Sequence, residues 1–120
     1  MWTAFEYMYR DAGNFKAFGT VTLKGAVSRA DEKLVRERLD SGEFFIAEQV
    51  GVPPLYGRLY QWSDGPTQSD HCWHEFTEFR RRASPPKTTS KVLAAKDFIG
   101  RFAAVERWKL ELSRHYELWA

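Results

Sequence analysis

Two runs of alternating apolar and polar residues across a short turn constrain this chain more than any other feature. In residues 2–10 (WTAFEYMYR), Phe5, Tyr7 and Tyr9 fall on one side, and Ala4, Glu6, Met8 and Arg10 on the other. That period of two marks a strand. Asp11-Ala12-Gly13-Asn14 follows, and Gly and Asn accept the positive φ of a tight turn. Residues 15–24 (FKAFGTVTLK) alternate again, with Phe15, Ala17, Gly19, Val21 and Leu23 opposite Lys16, Phe18, Thr20, Thr22 and Lys24. The pair predicts an antiparallel hairpin. A lone hairpin is marginal in water, so the remaining residues must supply further strands and a helical cover.

Ser28 and Asp31 have capping-box spacing, and Leu34, Val35 and Leu39 form an apolar stripe, predicting a helix over 29–41 with Gly42 just past its end. Residues 43–52 (EFFIAEQVGV) suit a short buried strand or an extended segment crossing the core. Pro53-Pro54 opens a second short helix over 53–62, with Leu55, Leu59 and Trp62 on one side. Residues 71–79 (HCWHEFTEF) read as a third strand or as part of a helix over 71–83; the strand is preferred because it completes a usable sheet. SPPKTTS, residues 84–90, reads as an extended linker. Beyond it Ala95, Phe98, Phe102, Val105, Lys109, Leu112, Tyr116 and Trp119 recur at steps of three and four, predicting one long helix. At 1.5 Å per residue such a helix would be ~45 Å long, so it either bends at Gly100 or projects from the core.

The expected fold is therefore α+β: a small antiparallel sheet of about three strands (3–10, 15–24 and 71–79), covered by two short helices, with one long C-terminal helix. Residues 1–83 form the core, 84–90 a linker within the same domain, and 91–120 a helix that packs on the core or dimerises through Phe98, Phe102, Val105, Leu112, Tyr116 and Trp119. At 120 residues with 19 aromatic side chains, one ordered domain is expected. A single cysteine leaves no internal disulfide or CxxC site. No apolar run approaches the ~20 residues of a membrane span, and residues 1–20 lack the plan of a signal peptide. The expectation is a cytoplasmic protein without membrane contact.

The densest reactive group is Asp70-His71-Cys72-Trp73-His74-Glu75. Histidine binds metals and serves as a general base near neutral pH, and an adjacent carboxylate can orient it. On a helix His71 would meet both His74 and Glu75; on a strand His74 points away from the other two. A small metal- or histidine-dependent hydrolase centred on His71, His74 and Glu75 is the alternative reading. Two histidines bonded locally beside core aromatics is the preferred one, with Cys72 an inert thiol. No GxSxG, P-loop, GxGxxG or EF-hand spacing occurs, and no cofactor is expected.

Charge is uneven. Residues 43–79 carry six acids against Arg58 alone, net −5, whereas residues 80–120 carry ten bases against four acids, net +6. Arg80, Arg81, Arg82, Lys87 and Lys91 lie within twelve residues free of acids. Arginine forks grip phosphate and carboxylate bidentately, so this strip is the candidate binding site. A protein partner is favoured over nucleic acid, because no helix-turn-helix, RRM or finger signature is present. The competing use of these bases is to neutralise the acidic middle of the same chain.

The stretches FEYMYRDAGNFKAFG, LDSGEFFIAEQVGVPPL and DHCWHEF together resemble a group of small uncharacterised bacterial hypothetical proteins, over roughly residues 5–79. The resemblance implies a bacterial or phage-borne origin and carries no activity, cofactor or site residue. The functional expectation is a non-enzymatic macromolecule-binding protein of the regulator, antitoxin or inhibitor type. It would act through the basic strip and the aromatic C-terminal helix.

Overall fold

The structure is a computed structural model that describes residues 1–62, 70–85 and 92–115. Its elements in chain order are β1 (Trp2–Arg10), β2 (Lys16–Lys24), α1 (Arg29–Arg38), β3 (Phe44–Phe45), α2 (Ala47–Val50), a 3-10 turn (Tyr56–Trp62), β4 (His74–Arg82), β5 (Leu93–Ala94), α3 (Ala95–Ala103) and a last 3-10 turn (Leu110–Leu112). The hairpin pairs Trp2 with Lys24 at its open end and Arg10 with Lys16 at its turn. Asn14 holds a φ of 65° in that turn. Ser28 accepts from the Asp31 amide while the Asp31 carboxylate accepts from the Ser28 amide, so the capping box opens α1.

The sheet departs from expectation. It has five strands in the order β3-β4-β1-β2-β5, curled into a half-barrel, where a small antiparallel sheet of three was expected. β5 runs parallel to β2, which makes the sheet mixed. The two extra strands are only two residues long, too short for alternation to register in a sequence. Residues 74–82 do form a strand, β4, but a bulge interrupts its pairing with β1 between Glu6 and Tyr7. Tyr7 then faces Phe76 while Glu6 faces Glu78, leaving Thr77 as the extra residue. His74 and Phe76 point inward before it, and Phe79 returns to the inner side after it.

The long C-terminal helix is absent. α3 stops at Ala103, and the chain turns away at Ala104. The cause lies 65 residues upstream: the Arg38 guanidinium donates to the carbonyls of Ala103 (2.8 Å) and Val105 (2.7 Å). Those acceptors would have received the amides of residues 107 and 109 had the helix continued. The Trp108 indole N–H in turn donates to the Arg38 carbonyl at 2.8 Å, pinning the departing chain to the end of α1. The expected linker over 84–90 lies outside the described residues from residue 86 onward, and so does the last segment of the expected helix, residues 116–120.

The core fills the concave side of the sheet. The fully buried Phe5 ring lies within 4.8–6.0 Å, centroid to centroid, of Tyr7, Phe45, Phe76, Phe79, Phe98 and Phe102, which come from β1, β3, β4 and α3. Val35 from α1, Leu39 just past its end and Val50 from α2 close the same cluster. Opposite Tyr7, Gly19 leaves room for that ring: a Cβ there would lie 2.9 Å from Tyr7 Cζ and 2.8 Å from Leu55 Cδ2. The Tyr7 hydroxyl donates to the Pro53 carbonyl at 2.6 Å, so the ring cannot slide aside freely. Gly19→Ala should therefore destabilise by about 1–3 kcal/mol in urea unfolding. Gly57→Ala, whose Cβ would meet nothing within 4 Å, should stay within about 0.5 kcal/mol of the parent.

Candidate functional site

The His71–Glu75 segment does not assemble a catalytic centre. His71 precedes β4, while His74 and Glu75 occupy successive strand positions and so face opposite sides of the sheet. Glu75 lies on the convex side, with its carboxylate 3.2 Å from Arg10 Nε. His74 Nε2 accepts the Leu55 amide at 2.9 Å, and His71 Nδ1 accepts the Trp73 amide at 3.0 Å. Each imidazole thus has its lone-pair nitrogen committed to a backbone N–H, which leaves neither ring as a base or ligand. The protonated Nε2 of His71 lies 2.5 Å from the Arg10 carbonyl. Among the described residues no three His, Cys, Asp or Glu side chains are grouped as metal ligands would be. The Cys72 thiol is fully buried and burial pushes its pKa up, opposed by a hydrogen bond from Ser113.

What these residues build is an internal polar lattice. The Tyr9 hydroxyl donates to Asp70 Oδ1 at 2.7 Å and accepts the His71 amide at 3.1 Å. His115 Nδ1 sits 2.8 Å from the His71 carbonyl, and its ring lies 3.8 Å from that of Tyr56. The Tyr56 hydroxyl donates to Glu48, which also receives the Arg114 amide at 3.0 Å. The lattice ties α2, the first 3-10 turn, the lead into β4 and the chain around residue 115 together. Tyr9, Tyr56 and His115 are members that leave no local signal in the sequence: Tyr9 and His115 lie 62 and 44 residues from His71, and Tyr56 meets Arg114 across 58 residues.

The aromatic residues expected to form a dimer face are spent inside the subunit: Phe98 and Phe102 are fully buried and Val105 is 7% exposed. Leu112 is exposed on the last 3-10 turn, and Tyr116 and Trp119 lie outside the described residues. Phe98, Phe102 and Val105 are therefore not available to a dimer face.

The basic strip is placed differently from expectation. Arg80, Arg81 and Arg82 are the end of β4, where the expected strand stops at residue 79, while Lys87 and Lys91 lie outside the described residues. Arg80 and Arg82 share the convex side with their partners Ala4 and Trp2, and Trp2 also pairs with Lys24 across β2. Trp2 is thus flanked by two cations at strand spacing, ~5 Å on each side. Arg81, paired with Thr3, faces the concave side. There it borders a cleft of about 350 Å³ against the start of α1, with Thr3, Val27, Ser28, Arg29, Glu32 and Phe79. Arg80 bonds Glu6 at 2.6 Å. Of the ion pairs with both partners among the described residues, none joins a lysine or arginine of 80–120 to an acid of 43–79. Farther along the convex side, Glu78 faces Glu6 and Glu75 faces Met8, which separates this positive end from Arg10 and Lys16 at the hairpin turn.

No protein-family model, no curated protein and no solved structure matches this chain.

The lattice has a measurable acid response. Burial, with His71 and His115 adding repulsion, pushes His74 from 6.5 down to about 3. A depressed histidine binds its proton more tightly in the unfolded chain, so its contribution is fully present above about pH 6.5 and is lost as pH falls towards 3. His115 is lowered by burial too and acts in the same direction. Unfolding stability should fall by up to about 1.4 kcal/mol per pH unit from His74 across that window. His74→Gln keeps an acceptor for the Leu55 amide, and its urea midpoint should depend visibly less on pH.

Proposed function

We propose that this chain is a non-enzymatic binding protein that acts by occupying an acidic surface on a protein partner, with the basic end of its sheet as the contact. One observation carries the reading: three consecutive arginines end β4 on both sides of the sheet, and among the described residues only Arg80 is engaged by a carboxylate. Trp2 between Lys24 and Arg82 adds an aromatic anchor inside a cationic frame, the combination that dominates interface energetics. The limited extent of the patch favours protein over nucleic acid. A phosphate backbone running along the convex side would meet Glu6, Glu78 and Glu75 within a few strand positions, whereas an acidic protein surface needs only local complementarity.

Arg81→Glu/Arg82→Glu reverses charge without touching the Arg80–Glu6 pair, so its melting temperature should stay within a few degrees of the parent. Co-purification with parent and variant, each with and without nuclease, checks the proposal. The expected result is a nuclease-resistant protein partner held by the parent and lost from the variant at least tenfold. The same partner kept by both, or a capture that vanishes with nuclease, rejects it.

A further inference from the structure

The hydrogen-bond phase of the sheet shows which backbone groups β4 leaves outward. The Gly25 amide donates to the Met1 carbonyl (2.9 Å) and the Asp11 amide to the Phe15 carbonyl (3.0 Å). These fix the odd-numbered residues of β1 as those bonded to β2, so the even-numbered ones bond to β4. Arg82, Arg80 and Glu78, facing Trp2, Ala4 and Glu6, therefore turn their backbone groups towards β1. Phe79 and Arg81 turn theirs the other way. On that side β3 reaches only His74 and Glu75 by ladder pairing, with one further bond from the Phe76 amide to the Glu43 carbonyl. Among the described residues nothing pairs with β4 beyond Phe76, so its last third is a sheet edge.

This edge runs beside α1. Arg36 lies over the Phe76 ring at 4.7 Å, and the start of α1 forms one wall of the cleft whose other wall is Thr3, Phe79 and Arg81. We infer that β4 receives an extended acidic peptide segment as an added strand, seated between its edge and α1. The inference rests on the acidic-partner reading above and specifies how that partner is held. Main-chain bonds to Phe79 and Arg81 would supply affinity, and alternate side chains would supply choice. Carboxylates on one side of the peptide meet Arg80 and Arg82, and the residue between them enters the cleft over Val27 and Phe79, framed by Arg29 and Arg81. The same charges decide the occupant. Natural edges carry cations to repel further strands, and three adjacent arginines disfavour a second copy of this edge while leaving an acidic strand attracted.

The test uses the full chain and two ten-residue peptides of alternating Glu and Val, one of them N-methylated at every second residue so that charge is kept and edge donors are lost. Binding is followed by fluorescence anisotropy, and amide exchange by NMR. Strand addition predicts that the N-methylated peptide binds at least tenfold more weakly. It also predicts that the Phe79 and Arg81 amides exchange at least tenfold more slowly with the unmodified peptide bound. Equal affinity for the two peptides with no protection at Phe79 and Arg81 overturns strand addition while leaving acidic docking in place. Undiminished binding of both peptides by Arg81→Glu/Arg82→Glu, or no binding of either, overturns strand addition and the acidic reading together.

Discussion

The Phe5 ring is the junction on which the molecule depends. It belongs to the central strand, is wholly excluded from water, and meets six other rings drawn from its own strand, from β3 and β4 on one side of it, and from α3. Offset and edge-on aromatic contacts each add about 0.5–1.5 kcal/mol beyond area burial, and here they converge on one side chain. The strands must curl to bring Phe45 and Phe98 to the same ring, so the half-barrel shape and the packing of this ring are one constraint. The arginines of β4 inherit their positions from it, since Phe79 anchors the strand on the inner side just before them.

A second layer of order comes from polar groups. The lattice around Tyr9 and His71 occupies space that a purely apolar core would fill, and its buried donors and acceptors are satisfied largely by backbone partners. Unmet groups of this kind are costly, so the lattice specifies one arrangement of its segments as well as stabilising it. The Nδ1 of His74 and the Oε1 of Glu48 are its exceptions: both are buried and without a hydrogen-bond partner among the described residues. Arg38 plays a comparable part at the other end of the core, where it ends α3 and is held in return by Trp108.

Local chemistry was legible in the residues; distant chemistry was not. The hairpin could be read because its alternation and turn lie within 24 residues, and the capping box because Ser28 and Asp31 are three apart. The long helix was misread for a specific reason. Ala95, Phe98, Phe102 and Val105 do face the core as helical spacing requires, but the stop comes from Arg38, which no window around residue 104 contains. The arginine strip is visible as composition, yet the expected strand stops at residue 79, because no apolar–polar alternation marks Arg80, Arg81 and Arg82 as its continuation. The histidines were visible as a cluster, while the groups that neutralise their chemistry, the Leu55 and Trp73 amides, are backbone atoms and leave no compositional trace.

Thr77 contributes no notable chemistry, yet it sets the phase of all that follows in its strand. Were Thr77 drawn into regular pairing instead of being left over, Phe79 would turn to solvent, Arg80 and Arg82 would be driven against the aromatic core, and Arg81 would exchange sides with them. Lineages of this chain should accordingly accept loss of the surplus residue between Phe76 and Glu78, which leaves every facing pair as it is, more readily than a further insertion there. Where such an insertion is not absorbed by the bulge, it should coincide with loss of the whole positive end at once.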